Sequence, residues 1–367
     1  MRLNFLRRPI IIPHEKGVRN MKRFLITTLC IAIGFTSLAG CAKTPEETSA
    51  TTETTEATTE TTVESTTETT KEDRGHFEFK PVVAASIFRD IMGEDMYVAY
   101  CNYIAAVRAG EDSFEVKDQE TYDWMMGQFP YVFYPVAAEY TESNYAGAYS
   151  NGRATFQYKI PKEEFAQKNA EFEEIVVNIL NENLRDDYSD FEKVLALYIY
   201  FATNYTYDYD TYNEMDDHYV DNLSGYRFLT GETGICCECA TAFSYLLLQA
   251  GVDATCAGGT NHEWSYVTIN GKNYHVDPTY AMSSDINLSY LMMTDETREV
   301  RDGFPKKDNV IANHYKDDHN GDKYDANDTF FEPLNDGHLI SWDPEKNLIY
   351  YSDVDGNERT FDYSPFG

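Results

Sequence analysis

The sequence predicts an α+β fold, in which helices are interspersed with antiparallel hairpins. Three observations carry that prediction. Residues 263–270 and 272–276 alternate along their length around Asn270-Gly271, the strongest short-range hairpin signal. From Cys236, CCECATAFSYLLLQA keeps its apolar residues at helical spacing until Gly251, a residue suited to the C′ position. Residues 339–342, 348–351 and 360–363 read as short strands, with Asp355-Gly356 as a turn.

Bulk composition narrows the function. Hydrophobic residues make up 42% of 367 and aromatic residues 14%, enough to fill a core in two modest domains or one large one. The net charge of −32 excludes the basic patches that nucleic acid requires and disfavours docking on anionic lipid heads.

Residues 1–40 read as a leader. Met21-Lys22-Arg23 is a basic start, and residues 24–37 are apolar but too short for an ordinary membrane span. Residues 1–20 read as an upstream extension, because the better leader begins at Met21. Leu38-Ala39-Gly40-Cys41 resembles the lipobox of a bacterial lipoprotein. The resemblance implies cleavage before Cys41, a lipid on its sulfur, and attachment to the outer side of the cell membrane. Residues 41–75 form a Thr/Glu-rich linker with almost nothing apolar to bury, so disorder is expected there.

The folded part divides by pattern into an α+β N-terminal domain (76–185), a core (186–300) and a C-terminal extension of loop and β-hairpin (301–367). Residues 82–109 read as helical, with Ile87, Ile91, Val98, Ile104 and Val107 in one stripe and Gly93 as a break point. Residues 119–127 read as a second helix, and 131–140 and 154–160 as strands. Pro161 opens a helix to about Leu184. Residues 190–204 form another helix, with Asp190 as its expected cap.

The cysteines sort by geometry. Outside the leader and Cys41, five remain: Cys101, Cys236, Cys237, Cys239 and Cys256. An odd number cannot pair completely within one chain. Cys236 falls in the first turn of its helix, where free N–H groups and the helix dipole favour a thiolate and can hold an oxyanion. The two-residue turn at Asn270-Gly271 pairs Ile269 with Lys272, Val267 with Tyr274, and Trp264 with Asp277. Alternation then puts His262, Trp264, Tyr266, His275 and Asp277 on one face, with His262 and Asp277 as diagonal neighbours. A helix-start cysteine beside a His–Asp pair is the constellation for thiol nucleophilic catalysis.

The segments GICCECATAFSYLLLQAG, NHEW and NYHVDPTYA resemble the core of the transglutaminase-like superfamily. The resemblance implies a papain-like arrangement, with a Cys-bearing helix packed on an antiparallel sheet that bears His and Asp. It assigns Cys236 as nucleophile, His262 as base and Asp277 as orienting acid. Cys239 departs from the pattern by standing where an aromatic is usual. The implied activity is acyl transfer from a protein or peptide substrate through a Cys thioester. Hydrolysis, as by a cysteine protease or amidase, is the first reading. Protein cross-linking by glutamine γ-glutamyl transfer is the second. A non-catalytic lipoprotein that binds peptide or glycan is the third.

Other readings compete at single residues. Cys236 and Cys239 with His262 and His275 have zinc-like spacing, although i,i+3 ligands on a helix need a matched second pair. The expectation is no metal and no cofactor. A Cys239–Cys256 disulfide would leave Cys236 free. Otherwise Cys237 and Cys239 read as inert packing, as does Cys101. Trp264 and His275 are pocket candidates, with plain sheet packing as the alternative. Residues 317–328 look like a calcium loop only superficially, because the twelfth position of the aligned loop is Asn327. The composition does not address oligomeric state.

Overall fold

The structure is a computed structural model. It describes residues 75–366 apart from 133, 143–147, 215–222, 260, 283–284 and 305–323. The leader, Cys41, the linker and most of the acidic 317–328 loop lie outside the described residues.

Helix α1 (Ser86–Arg108) opens the described fold. Gly93 interrupts it at φ 78°, ψ 175°, a conformation that glycine adopts without the cost a side chain adds. The break resets the phase of the helix. Ile87, Ile104 and Val107 are buried, but Val98 is 47% exposed and so leaves the expected stripe. Strand β1 (Ser113–Glu115) follows, then α2 (Gln119–Val132) and α3 (Pro135–Tyr140). The strand expected over 131–140 is therefore helix. Pro135 occupies the first turn of α3, where a missing N–H costs nothing, and Pro135 to Ala138 are buried in succession instead of alternating.

Next come the short strands β2 (Thr141–Glu142), β3 (Tyr149–Ser150), β4 (Arg153–Thr155) and β5 (Gln157–Tyr158). The single strand expected over 154–160 is thus divided between β4 and β5. Asn151 and Gly152, both with positive φ, turn β3 into β4. Helix α4 (Lys162–Asn183) begins after Pro161, and α5 (Asp190–Asn204) follows. The cap of α5 is Ser189, one residue before the expected Asp190. Ser189 and Glu192 form a reciprocal capping box.

Strand β6 (Thr206–Tyr207), α6 (Tyr209–Glu214), α7 (Gly225–Thr230) and β7 (Thr233–Gly234) lead to α8 (Cys236–Gln249). Strands β6 and β7 pair in parallel, so Tyr207 lies level with Gly234. The central sheet is β8 (Asp253–Gly258), β9 (Glu263–Ile269) and β10 (Lys272–Val276), antiparallel in the order β10-β9-β8. The register around Asn270-Gly271 pairs Ile269 with Lys272 and Val267 with Tyr274. Both turn residues have positive φ, as a type I′ turn requires.

Helix α8 lies on the face of this sheet that carries Ser265, Val267 and Val276. Ser244 donates to Ser265 Oγ at 2.9 Å, and Ser265 donates to the Ala240 carbonyl at 3.2 Å. Helix α9 (Asp295–Asp302) touches Trp264 and His275 on the other face; Thr294 caps it and Gly303 ends it at φ 72°. Strands β11 (His338–Asp343), β12 (Leu348–Ser352) and β13 (Glu358–Asp362) close the chain as an antiparallel meander.

One cluster of buried apolar side chains runs from Val83 to Phe366. The N-terminal segment is clipped to α8 by a two-way amide contact, since Lys80 N–H donates to Gln249 Oε1 and Gln249 Nε2 donates to Lys80 O. At the far end, Phe366 packs on Phe191, Phe331 and Tyr274.

Candidate active site

The start of α8 is fixed from below by a buried carboxylate. Cys236 is the first helical residue, and Ile235 precedes it with no side chain able to cap. Glu238 supplies the other half of a capping box, accepting from the Ile235 N–H at 3.1 Å. The same carboxylate, fully buried, receives Arg227 Nε at 2.6 Å and Nη2 at 2.7 Å, and Ser224 N–H at 3.3 Å. Cys236 is thereby held at a helix N-terminus whose first N–H groups lack intrahelical acceptors.

The hairpin brings the partners. His262 Nε2 lies 2.7 Å from Asp277 Oδ2, with the His262 side chain 11% exposed and Asp277 fully buried. Burial works against charge on Asp277, but His262 and Arg298 outweigh it and hold the group below the usual carboxylate range. An ionised Asp277 can only accept, so Nε2–H donates to it, and His262 Nδ1 is left for Cys236. Burial also opposes charge on His262. The Asp277 carboxylate and the Cys236 sulfur overcome that and push the imidazole up to about 10. His262 is therefore an imidazolium beside the Cys236 sulfur at neutral pH.

Asp277 has two further donors. Thr279 N–H reaches Oδ1 at 3.2 Å, and Arg298 Nη1 reaches Oδ2 at 2.8 Å. Arg298 was not among the candidates read from the sequence. It is fully buried and lies face-on over Trp264, 3.9 Å from the ring centre. The predicted pocket candidates Trp264 and His275 bond to each other behind the site. Trp264 Nε1 donates to His275 Nδ1 at 2.9 Å, and His275 Nε2 donates to Asp295 Oδ1 at 2.9 Å. Burial, opposed by that Asp295 bond, lowers the His275 pKa and keeps it neutral.

These bonds occupy both nitrogens of His275, so it cannot join Cys236, Cys239 and His262 in the zinc quartet weighed from spacing. Among the described residues, no group of three or more His, Cys, Asp or Glu side chains could hold a metal ion. Cys239 and Cys256 are free, so the disulfide considered between them is not formed. Cys239 is buried near Asp277 and Thr279, and burial raises its thiol far above the ordinary value. Cys256 is raised to about 12 by burial, and Cys237 is raised by burial and by Cys236. These three stay protonated. Tyr207, also missed in the sequence, sits beside Cys236 and Cys237. Burial and the two sulfurs keep its phenol protonated and able to donate.

Residues 178–283 match the model of the transglutaminase-like superfamily. No curated protein matches the chain. A solved structure described as "Crystal structure of a TGase" is similar at 17% identity over 44% of this chain and 48% of that one, with a TM-score of 0.25. The chain thus spans about half the length of that protein. The matched segment holds α8, β9, β10, Cys236, His262 and Asp277, so this part of the chain is similar to the transglutaminase-like superfamily core.

Proposed function

We propose that this protein is a lipid-anchored, cell-surface cysteine enzyme that hydrolyses peptide or carboxamide bonds. The observation that carries this reading is the 2.7 Å contact between His262 and the buried Asp277 beside the helix-start Cys236. Cys236 thiolate attacks the carbonyl carbon, and first-turn N–H groups receive the oxyanion. His262 imidazolium gives its proton to the leaving amine, and the C–N bond breaks to leave a thioester. His262 then takes a proton from water, whose oxygen displaces the sulfur and releases the acid.

A lysine amine in place of water would yield a cross-link. Glu263, next to His262 and near enough to Cys237 to raise its thiol, favours a cationic acceptor. Casein incubated with and without a primary amine separates the two outcomes, giving fragments in one case and amine incorporation in the other.

Iodoacetamide should label Cys236 first among the five cysteines at mildly acidic pH, and His262→Ala should remove that preference. Equal labelling of all five would sink the enzyme reading. The anchor rests on Leu38-Ala39-Gly40-Cys41. Cys41→Ala is expected to move the protein from the membrane fraction to the soluble one, and unchanged fractionation would dismiss the anchor.

A further inference from the structure

We infer that Arg298 is a positioning residue for this site: its buried guanidinium holds the Asp277 carboxylate in place against His262 and so governs how His262 serves Cys236. The inference rests on the proposed role of Cys236. Arg298 lies outside the segment that matches the superfamily model.

The geometry is specific. Arg298 Nη1 and His262 Nε2 converge on one oxygen, Asp277 Oδ2, at 2.8 and 2.7 Å. Its Nε lies 3.2 Å from Asp302 Oδ2, one helical turn on, in an ion contact too poorly aligned for a hydrogen bond. Nη2 is buried with no hydrogen-bond partner among the described residues. Trp264 at 3.9 Å and Phe304 at 5.4 Å, packed on each other, lie against the guanidinium. A purely structural cation has little reason to be so poorly satisfied, because buried donors without acceptors cost stability. What the arrangement achieves is a row of alternating charge leading to Cys236: Asp302 negative, though burial raises its pKa, Arg298 positive, Asp277 negative and His262 positive.

Other groups face this row. From β6 comes Tyr207, from α5 Tyr198, and from α8 Cys237 and Cys239, all neutral because burial raises them, and the Glu263 side chain on β9 lies near Cys237. From the segment after β10 come Tyr280 and Tyr290, also raised by burial and neutral. From β10 comes His275, neutral and paired with Asp295, and Arg301 adds a charge at the rim. None of these replaces the cation that touches Asp277. Removing Arg298 leaves the buried row with an excess negative charge. Every proton-binding group nearby then holds its proton to higher pH.

The test is the rate of Cys236 alkylation by iodoacetamide against pH, read by peptide mapping on the full chain. Arg298→Met should move the acid limb up by about one pH unit, a roughly tenfold slower reaction on that limb. Arg298→Lys, which keeps the charge, should bring the limb back. Asp302→Asn, which removes the opposing charge, should move it down. If Arg298→Met fails to fold, the Lys and Asp302→Asn variants still decide. Acid limbs that coincide with wild type in every folded variant overturn this inference alone. A wild-type chain without selective Cys236 alkylation overturns the proposed function together with it.

Discussion

Replacing Asp277 with Asn is expected to lower kcat by about 10⁴-fold, the scale known for an orienting acid that loses its charge. The amide oxygen is a weaker acceptor for His262 Nε2–H, and the amide group can present its own donor instead, which turns the imidazole to the wrong tautomer. His262 also loses the main partner that lifts it to about 10. Arg298 meanwhile loses its best-aligned acceptor.

The pH dependence follows with a definite sign. His262 is raised from 6.5 to about 10, so its contribution to stability is full below about pH 6.5 and is lost as pH rises through 10. Asp277 is lowered from 3.8, so its contribution is full above about pH 4 and is lost as pH falls through the folded value. The stability gap between wild type and Asp277→Asn should therefore be widest between about pH 4 and 6.5 and should shrink toward pH 10. Steady-state peptide hydrolysis and urea unfolding across this range measure both effects. A variant within tenfold of wild-type kcat would remove Asp277 from the mechanism.

Glu238→Ala is expected to cost about 3 kcal/mol, because it takes from Arg227 its two shortest bonds and leaves the Ile235 and Ser224 N–H groups without their carboxylate in a largely buried site. For a folded part of this size that corresponds to a fall in Tm of roughly 5 °C. Loss of the carboxylate also frays the first turn of α8, so the alkylation preference for Cys236 should weaken at temperatures where the variant is still folded. Calorimetry checks the first effect. A Tm within about 2 °C of wild type would show that the start of the helix is held by something else.

The parts of this molecule readable in advance are those set by local rules. Asn270-Gly271 admits one tight turn, that turn sets one register, and the register puts His262 beside Asp277. Helical spacing from Cys236 to Gly251 did the same for α8. The unreadable parts depend on the tertiary fold. DETREVRD in α9 carries a charge at nearly every position and reads as solvated surface, yet Arg298 is fully buried against a sheet that only the folded chain supplies. Glu238 reads as an ordinary acidic residue in a first turn, and its burial depends on Arg227 arriving from α7. Tyr131 to Tyr140 has strand-like composition, but Pro135 and continuous burial turn it into a helix start. Strand β8, DATCAG, carries no strong strand signal and forms by pairing along β9.

The parallel pairing of β6 and β7 has a consequence for how such a protein can diversify. The chain leaves the core after Tyr207, is back in it at α7, where Tyr226, Phe228 and Leu229 are buried, and pairs with its starting strand again at Thr233. Arg227 ties the departing Asp208 at 3.4 Å, and its backbone N–H donates to Ser224 Oγ at 3.1 Å. Helix α6, which begins this excursion, buries no side chain. Both ends are therefore moored near the start of α8, while α6 between them adds no buried side chain to the core. Inherited changes in its length or side chains can alter what approaches the sulfur without moving the sulfur itself. New substrate preferences can arise there while the reacting groups stay in place.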